Sequence, residues 1–268
     1  MSGLTKISKS FWFQFVPAMI SGSITIVLLV LNIIPAYYLF ATLLMWILVC
    51  GLGIAVGYHR VFSHKTHTLP IWKENIILFL ATFAGQGASI FWVALHRGYH
   101  HPHTDTVKDI HSPIVYGKYQ AFVGWYNKIT EATNTINIKY AVDLLRKPNH
   151  VWFHNNHLRL LWGIPLLVAL IDWKLALTAF CLVTMIGSFQ DNLVNVFGHS
   201  KGIIGYRNFN TIDGSYNNLI LGYLAWGQGW HNNHHAHPSS YDFGSGTSSK
   251  WWEWDPARIF KPFLTTVH

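Results

Sequence analysis

Charged side chains are what this chain has least of. Asp, Glu, Lys and Arg make up 11% of its 268 residues, and only 11 of them are acidic. Soluble domains average roughly 25% charged residues, so a fold that faces water on all sides is excluded. Cysteine is rarer still: Cys50 and Cys181 both sit inside apolar runs, which leaves no disulfide framework and no thiolate metal site. The signatures of several enzyme classes are missing as well. There is no His-Glu-x-x-His of a zinc protease and no Glu-x-x-His pair of a carboxylate-bridged di-iron bundle. A serine elbow and a glycine-rich phosphate loop are also absent.

What the chain has instead is apolar length. Residues 18–38 and 39–57 carry no charge, and each approaches the ~20 residues that cross a bilayer as a helix. The first is too long for a signal-peptide core and no small-residue cleavage site follows it, so it reads as a retained span. A second pair, 160–172 and 175–197, is split by Asp172-Trp173-Lys174. The expected architecture is an all-α integral membrane protein, one domain over residues 1–268. Four transmembrane helices in two hairpins cover about 18–38, 39–58, 160–173 and 175–197, with a cytoplasmic helical cap from 59–159 and 198–268. Of 19 Lys and Arg, all but Lys174 lie in the N-terminus, in the 60–159 region or after residue 200. The positive-inside rule then puts both termini and the large middle region in the cytoplasm. The same basic face suits anionic lipid heads or an acidic electron donor, and no nucleic-acid partner is expected.

Histidine is abundant, with 17 copies, and nine of them gather at the predicted membrane boundaries. The groups are His59 and His64 in GYHRVFSH, His96, His100 and His101 in HRGYHH, His199 in NVFGH, and His231, His234 and His235 in GWHNNHH. On a regular helix His96 and His100 face one side, one turn apart, and so do Asn195 and His199. His231, His234 and His235 sit at i, i+3 and i+4, so they present imidazoles in one direction. His59 and His64 are about 140° apart on a regular helix and are expected to straddle a helix end. Imidazole suits iron, zinc, copper and nickel, and nine imidazoles exceed what one ion holds. Two ions in an all-imidazole centre at a membrane face point to redox chemistry with O2 rather than hydrolysis. His150, His154 and His157 in HVWFHNNH mimic this spacing, but they read as an interfacial surface helix. His67, His103, His111 and His237 flank the groups and read as solvated or supporting residues, and the terminal His268 has no role.

GYHRVFSH, HRGYHHPHTDT, NVFGH and GQGWHNNHHAHP resemble, in order, number and interval, the four histidine boxes of membrane fatty-acyl desaturases of the acyl-CoA/acyl-lipid Δ9 (stearoyl-CoA desaturase-like) branch. WVALHR, DLLRKP, VGWYN and WWEWDP are similar too, and the resemblance covers roughly residues 40 to 260. It implies two iron ions held by His59, His64, His96, His100, His101, His199, His231, His234 and His235. It further implies that Asn195 acts on the metals through a water. It puts Trp92 at the bend of a narrow acyl tunnel, with Gln86 near that bend. Three departures stand out. Three residues, not two, separate His96 from the paired histidines; Gln228 replaces a Glu; and Asp191, an acid in an apolar segment, occupies a position usually apolar or Thr.

The implied activity is insertion of a cis double bond, Δ9 by branch, into a saturated acyl chain using O2 and two electrons. The acyl carrier is CoA or a lipid. With no flavin, haem or iron–sulfur motif in the chain, the electrons need an external ferredoxin or cytochrome b5-type donor. A hydroxylase or other monooxygenase on the same scaffold is the nearest alternative. A histidine-rich metal transporter is a more distant one, since transport sites lie near the membrane midplane. One more expectation concerns residues 74–95, which are long enough to span. Because His64 and His96 flank them and share a centre, the segment must dip and return or lie along the membrane face, with Gly85 and Gly87 providing the bend.

Overall fold

The computed structural model describes residues 5–126, 139–202 and 204–265. Asn127, the last residue of VGWYN, and His268 lie outside the described residues. Helix α1 (Thr5–Val30) opens the chain, and its apolar part, Phe11–Val30, is long enough to cross a bilayer. The span expected at 18–38 is therefore displaced toward the N-terminus. The physical stop is local. Asn32 takes a left-handed φ of 56°, which Asn tolerates better than most residues, and Pro35 is extended ahead of a short 3₁₀ turn, Ala36–Tyr38.

Helix α2 (Leu39–Trp46) then runs into a π-helical stretch, Ile47–Ser63, in which the hydrogen bonds close five residues apart rather than four. Together Ala36–Ser63 form the second apolar helix of membrane-crossing length. Helix α3 (Ile71–Thr82) packs on it. A Cβ at Gly57 would lie 2.1 Å from Ile77 Cγ2, so only glycine admits α3 this closely. The 74–95 segment is not one helix. After α3 the chain passes through Gly85 (φ 69°) and Gly87 (φ 81°), which glycine adopts without strain, before α4 (Ser89–Leu95) begins. This is the bend expected there.

The third apolar stretch joins α5 (Pro148–Ala176), a π turn (Leu177–Cys181) and α6 (Leu182–Gly198). Asp172 breaks it with φ −146° and ψ 98°. The break falls within the Asp-Trp-Lys triplet, where a boundary between helices was expected. Asp172 accepts hydrogen bonds from Tyr38 Oη (2.6 Å) and from the backbone of Lys174 and Leu175. Neighbouring helices are tied along their length: Trp162 Nε1 donates to Phe13 O, Thr42 Oγ1 to Thr178 O, and Trp46 Nε1 to Gln190 Oε1. Large apolar side chains point away from the protein, Leu170 83% and Ile171 92% exposed. Such exposure forfeits about 25 cal/mol per Å² in water and nothing against lipid tails. This is a membrane protein.

Beyond α6 the chain packs back against α2 and the π-helical stretch, with Trp226 on Trp46. Two short antiparallel strands, β1 (Gly205–Tyr206) and β2 (Asn217–Asn218), precede α7 (Leu219–Leu224) and α8 (His231–Ala236). Arg60 anchors the C-terminal segment to the π-helical stretch. Its guanidinium, fully buried, pairs with Asp255 at 2.8 Å, donates to Tyr241 O and lies over the Phe243 ring. Removing one partner of such a pair costs roughly 3–5 kcal/mol, because the other charge is left buried alone.

Candidate metal centre

Nine histidines converge where the π-helical stretch, α4, α6 and α8 meet. They sort into two groups, each with one ring nitrogen per histidine within 4.8 Å of the others. One group is His59, His64, His96, His101 and His234; the other is His100, His199, His231 and His235. Helix type decides the sorting. His64 N donates to His59 O and His101 N to His96 O, both five residues back. Each π turn thus stacks two histidines five apart on one face, with ring centroids 5.1 and 4.6 Å apart. The expectation that His96 and His100 share a face assumed regular α-helix. The wide turn at His96–His100 pairs His96 with His101 instead and sends His100 to the second group. Helix α8 divides as well: His231 and His235 join the second group and His234 the first, so the three do not point to one centre. The extra residue in HRGYHH is thus accommodated.

The hydrogen-bond chemistry of the second group calls for a cation. His199 Nδ1 faces Asp105 Oδ2 at 3.2 Å, and His231 Nδ1 faces the Gln228 carbonyl at 3.2 Å. Carboxylate and carbonyl oxygens only accept, so both Nδ1 atoms carry the hydrogen, and a ring that is to bind metal then offers its lone pair on Nε2. Those two Nε2 atoms lie 2.8 Å apart. His235 repeats the pattern, with Nδ1 on Asp213 at 3.1 Å and a buried Nε2 that has no hydrogen-bond partner. His100 Nδ1 meets Asp109 at 3.2 Å. Nitrogens bound to one ion at about 2.0–2.1 Å sit about 2.9–3.4 Å apart, close to the spacing found. In the first group His234 Nε2 meets both His59 Nε2 and His101 Nε2 at 3.0 Å, and His64 Nε2 meets His96 Nε2 at 2.9 Å. A single nitrogen cannot hydrogen-bond both neighbours with one hydrogen or one lone pair, but a shared cation serves all of them. The residues fit a metal at each group.

Electrostatics agrees. Burial, reinforced by neighbouring histidines and arginines, lowers His64 to about 3, and burial lowers His235 to about 4 against the usual 6.5. His96, His101, His231 and His234 are held well below that value for the same reasons. These six rings are therefore neutral at physiological pH, as ligands must be. Burial pushes Asp105, Asp109 and Asp213 up, but their bonds to His199, to His100 with His111, and to His235 outweigh it and hold them ionised.

The sequence profile of the fatty acid desaturase family matches residues 17–254. Among curated relatives, the sn-2 palmitoyl-lipid 9-desaturase of Nostoc is 33% identical over 76% of this chain and 70% of its own. The sn-1 stearoyl-lipid 9-desaturase of Synechocystis is 30% identical over 84% and 68%. The acyl-CoA C20 Delta5-desaturase of Anemone leveillei is 31% identical over 77% and 64%. The chain belongs to the fatty acid desaturase family. It is an oxidoreductase of lipid metabolism, and its imidazole clusters are the histidine boxes of a desaturase folded together.

Between the two clusters the desaturase encloses a cavity of about 50 Å³. His59, His96, His100 and His231 line it with Gln86, Trp92, Asp191, Asn195 and Gln228. The residues singled out besides the histidines thus border one space. Trp92 stacks on His96 at 4.8 Å. Asp191 accepts from Gln228 Nε2 at 3.2 Å, while its other oxygen is buried without a partner. His150 and His157 were expected on an interfacial surface helix, but both are buried, bonded to Ser89 and Gln14 respectively. They fasten α5 to α4 and α1, because a helix packed on both sides has no water to offer an imidazole. His111 is buried beside Asp109 (2.9 Å). Sequence reasoning missed Asp105, Asp109 and Asp213. The first two lie just after the second box, where any carboxylate near metal-spaced histidines was worth weighing; Asp213 carries no local signal.

Proposed function

We propose that this desaturase binds two iron ions, one at each imidazole cluster, and inserts a cis double bond at Δ9 of a saturated acyl chain carried by a lipid or by CoA. His59, His64, His96, His101 and His234 would hold one ion; His100, His199, His231 and His235 would hold the other, with Asn195 reaching it through a water. The observation that carries the reading is the convergence of imidazoles from both clusters on one cavity. Bound iron supplies the O2-dependent oxidation needed to take hydrogen from an unactivated methylene. The overall balance is CH2–CH2 plus O2, two electrons and two protons, giving CH=CH and two waters. The protein's own residues fix where this happens. Phe91, Trp92, Leu95, Trp125 and Val194 supply apolar walls that position methylenes and exclude water, and Gln86 and Asp191 mark the polar side.

Δ9 regiochemistry is supported by the activities for which the Nostoc and Synechocystis relatives are named. The family match disfavours transport and hydroxylation. We further propose four membrane crossings in two hairpins, with the centre and both termini cytoplasmic. A continuous helix of 51 residues would be ~76 Å long, more than twice the ~30 Å bilayer core, and the break at Asp172 lets it cross twice. An external ferredoxin or cytochrome b5-type protein would deliver the electrons at the basic cytoplasmic face. The test is lipid analysis of a desaturase-deficient host expressing the chain beside a His235→Ala control. A new cis-monoene located at Δ9, absent from the control, supports the reading. Hydroxylated chains, or no new product with two irons bound and a donor supplied, would overturn it.

A further inference from the structure

The two clusters are not equivalent, and the difference lies one layer behind the imidazoles. In the four-histidine group every Nδ1 has an acceptor: Asp109 for His100, Asp105 for His199, Asp213 for His235, and the Gln228 carbonyl for His231. In the five-histidine group the Nδ1 atoms of His59 and His234 are buried without partners. Among the described residues no carboxylate lies within ion-pair distance of any of the five. The charges nearest that group are cationic: Arg60 follows His59 in sequence, and Arg60 and Arg97 both bear on His64. Arg97 bridges Asp143, Ser63 O and Phe62 O, closing the carbonyl end of the π-helical stretch.

Two consequences follow from elementary chemistry. A carboxylate on Nδ1–H fixes the tautomer and the ring orientation, so the Nε2 lone pair is presented before any ion arrives, and it makes that nitrogen a better donor. It also adds a negative charge near the ion, and a low-dielectric interior transmits that charge strongly. Three such charges stand behind one cluster and none behind the other.

We infer that Asp105, Asp109 and Asp213 are positioning residues that preform the four-histidine site, so that metal held there depends on these carboxylates while metal at the five-histidine site does not. The aspartates also make the four-histidine site the one at which an ion gains most from a higher charge. This inference rests on the two-metal reading above. Its own content is the assignment of the carboxylates to one site.

The test is metal titration of the full-length protein in lipid nanodiscs, with Co2+ as an optical probe. His199→Ala and His64→Ala identify which binding phase belongs to which cluster. Asp105→Asn and Asp213→Asn are expected to weaken only the phase lost in His199→Ala, by about 10–100-fold each. Asp143→Asn, at an acid outside both clusters, leaves both phases in place. A second measurement needs no variant: 15N spectra of the metal-free protein. His199 and His235 are expected as single Nδ1–H tautomers, and His59 and His234 as mixtures. With iron bound, the Asp213→Asn change should raise one of two reduction potentials and leave the other unmoved. Equal weakening of both phases, or weakening of the phase lost in His64→Ala, would overturn the inference, as would mixed tautomers at His199. Fewer than two ions bound by the unmodified protein would instead count against the two-metal reading itself.

Discussion

The tetrapeptide His-Asn-Asn-His occurs twice in this desaturase, at 154–157 on α5 and at 231–234 on α8, and the two copies do unlike things. In the first, His157 bonds Gln14 of α1 at 2.9 Å, and Asn156 turns back onto its own helix at Trp152 O. In the second, the asparagines are the anchor and the histidines the working face. Asn232 Oδ1 accepts from the backbone of Asn208 and Phe209, while Asn233 ties Asn208, Asn217, Phe243 O and Glu253 together. With the asparagines locked into the C-terminal fold, His231 and His234 are turned toward the clusters. Identical residues at identical spacing differ because only the second copy has other imidazoles arriving from the π-helical stretch and α4.

Four experiments sharpen or break this contrast. His234→Ala should have the largest effect, since its Nε2 meets both His59 and His101. Desaturation is expected to fall by at least about 100-fold, with one ion lost, read as product per chain and metal per chain. Asn233→Leu is next. It strands buried partners at about 1–3 kcal/mol each, so thermal unfolding should shift down by several kcal/mol, and metal content should fall with it. Acidification comes third. Six of the clustered imidazoles, His64, His96, His101, His231, His234 and His235, have folded values depressed below 6.5, to about 3 for His64 and about 4 for His235. The unfolded chain then binds more protons below 6.5, so stability is full above that pH and declines as pH drops from 6.5 toward 4. Melting temperature and bound metal should decline together over that window, and a flat profile would contradict the account. Smallest is His157→Gln, which can keep a hydrogen bond to Gln14. Metal content should stay at the unmodified level and stability within about 1 kcal/mol.

The nine converging histidines were legible in the sequence because they stand at short-range ligand-like spacings, and an 11% charged chain made the membrane setting legible too. Their division between two clusters was not. It depends on π turns at His59–His64 and His96–His101, and a reading at 100° per residue rotates His101 away from His96. The first span was misplaced because its limits are set by Asn32 and Pro35 at one end and by a helix that starts before the apolar run at the other. HVWFHNNH lies on α5, and the burial of His150 and His157 depends on α4 and α1 packing against it, which no local pattern encodes. Asp213 was invisible for the same reason: it meets His235 through a loop closing 22 residues earlier in the chain.

The most direct test of the account is iron per chain in the purified protein, compared between His234→Ala and His154→Ala, one histidine from each copy of the shared tetrapeptide. The account predicts two irons per chain in the unmodified protein and in His154→Ala, and one or fewer in His234→Ala. Two irons retained in His234→Ala, or iron lost from His154→Ala, would contradict it.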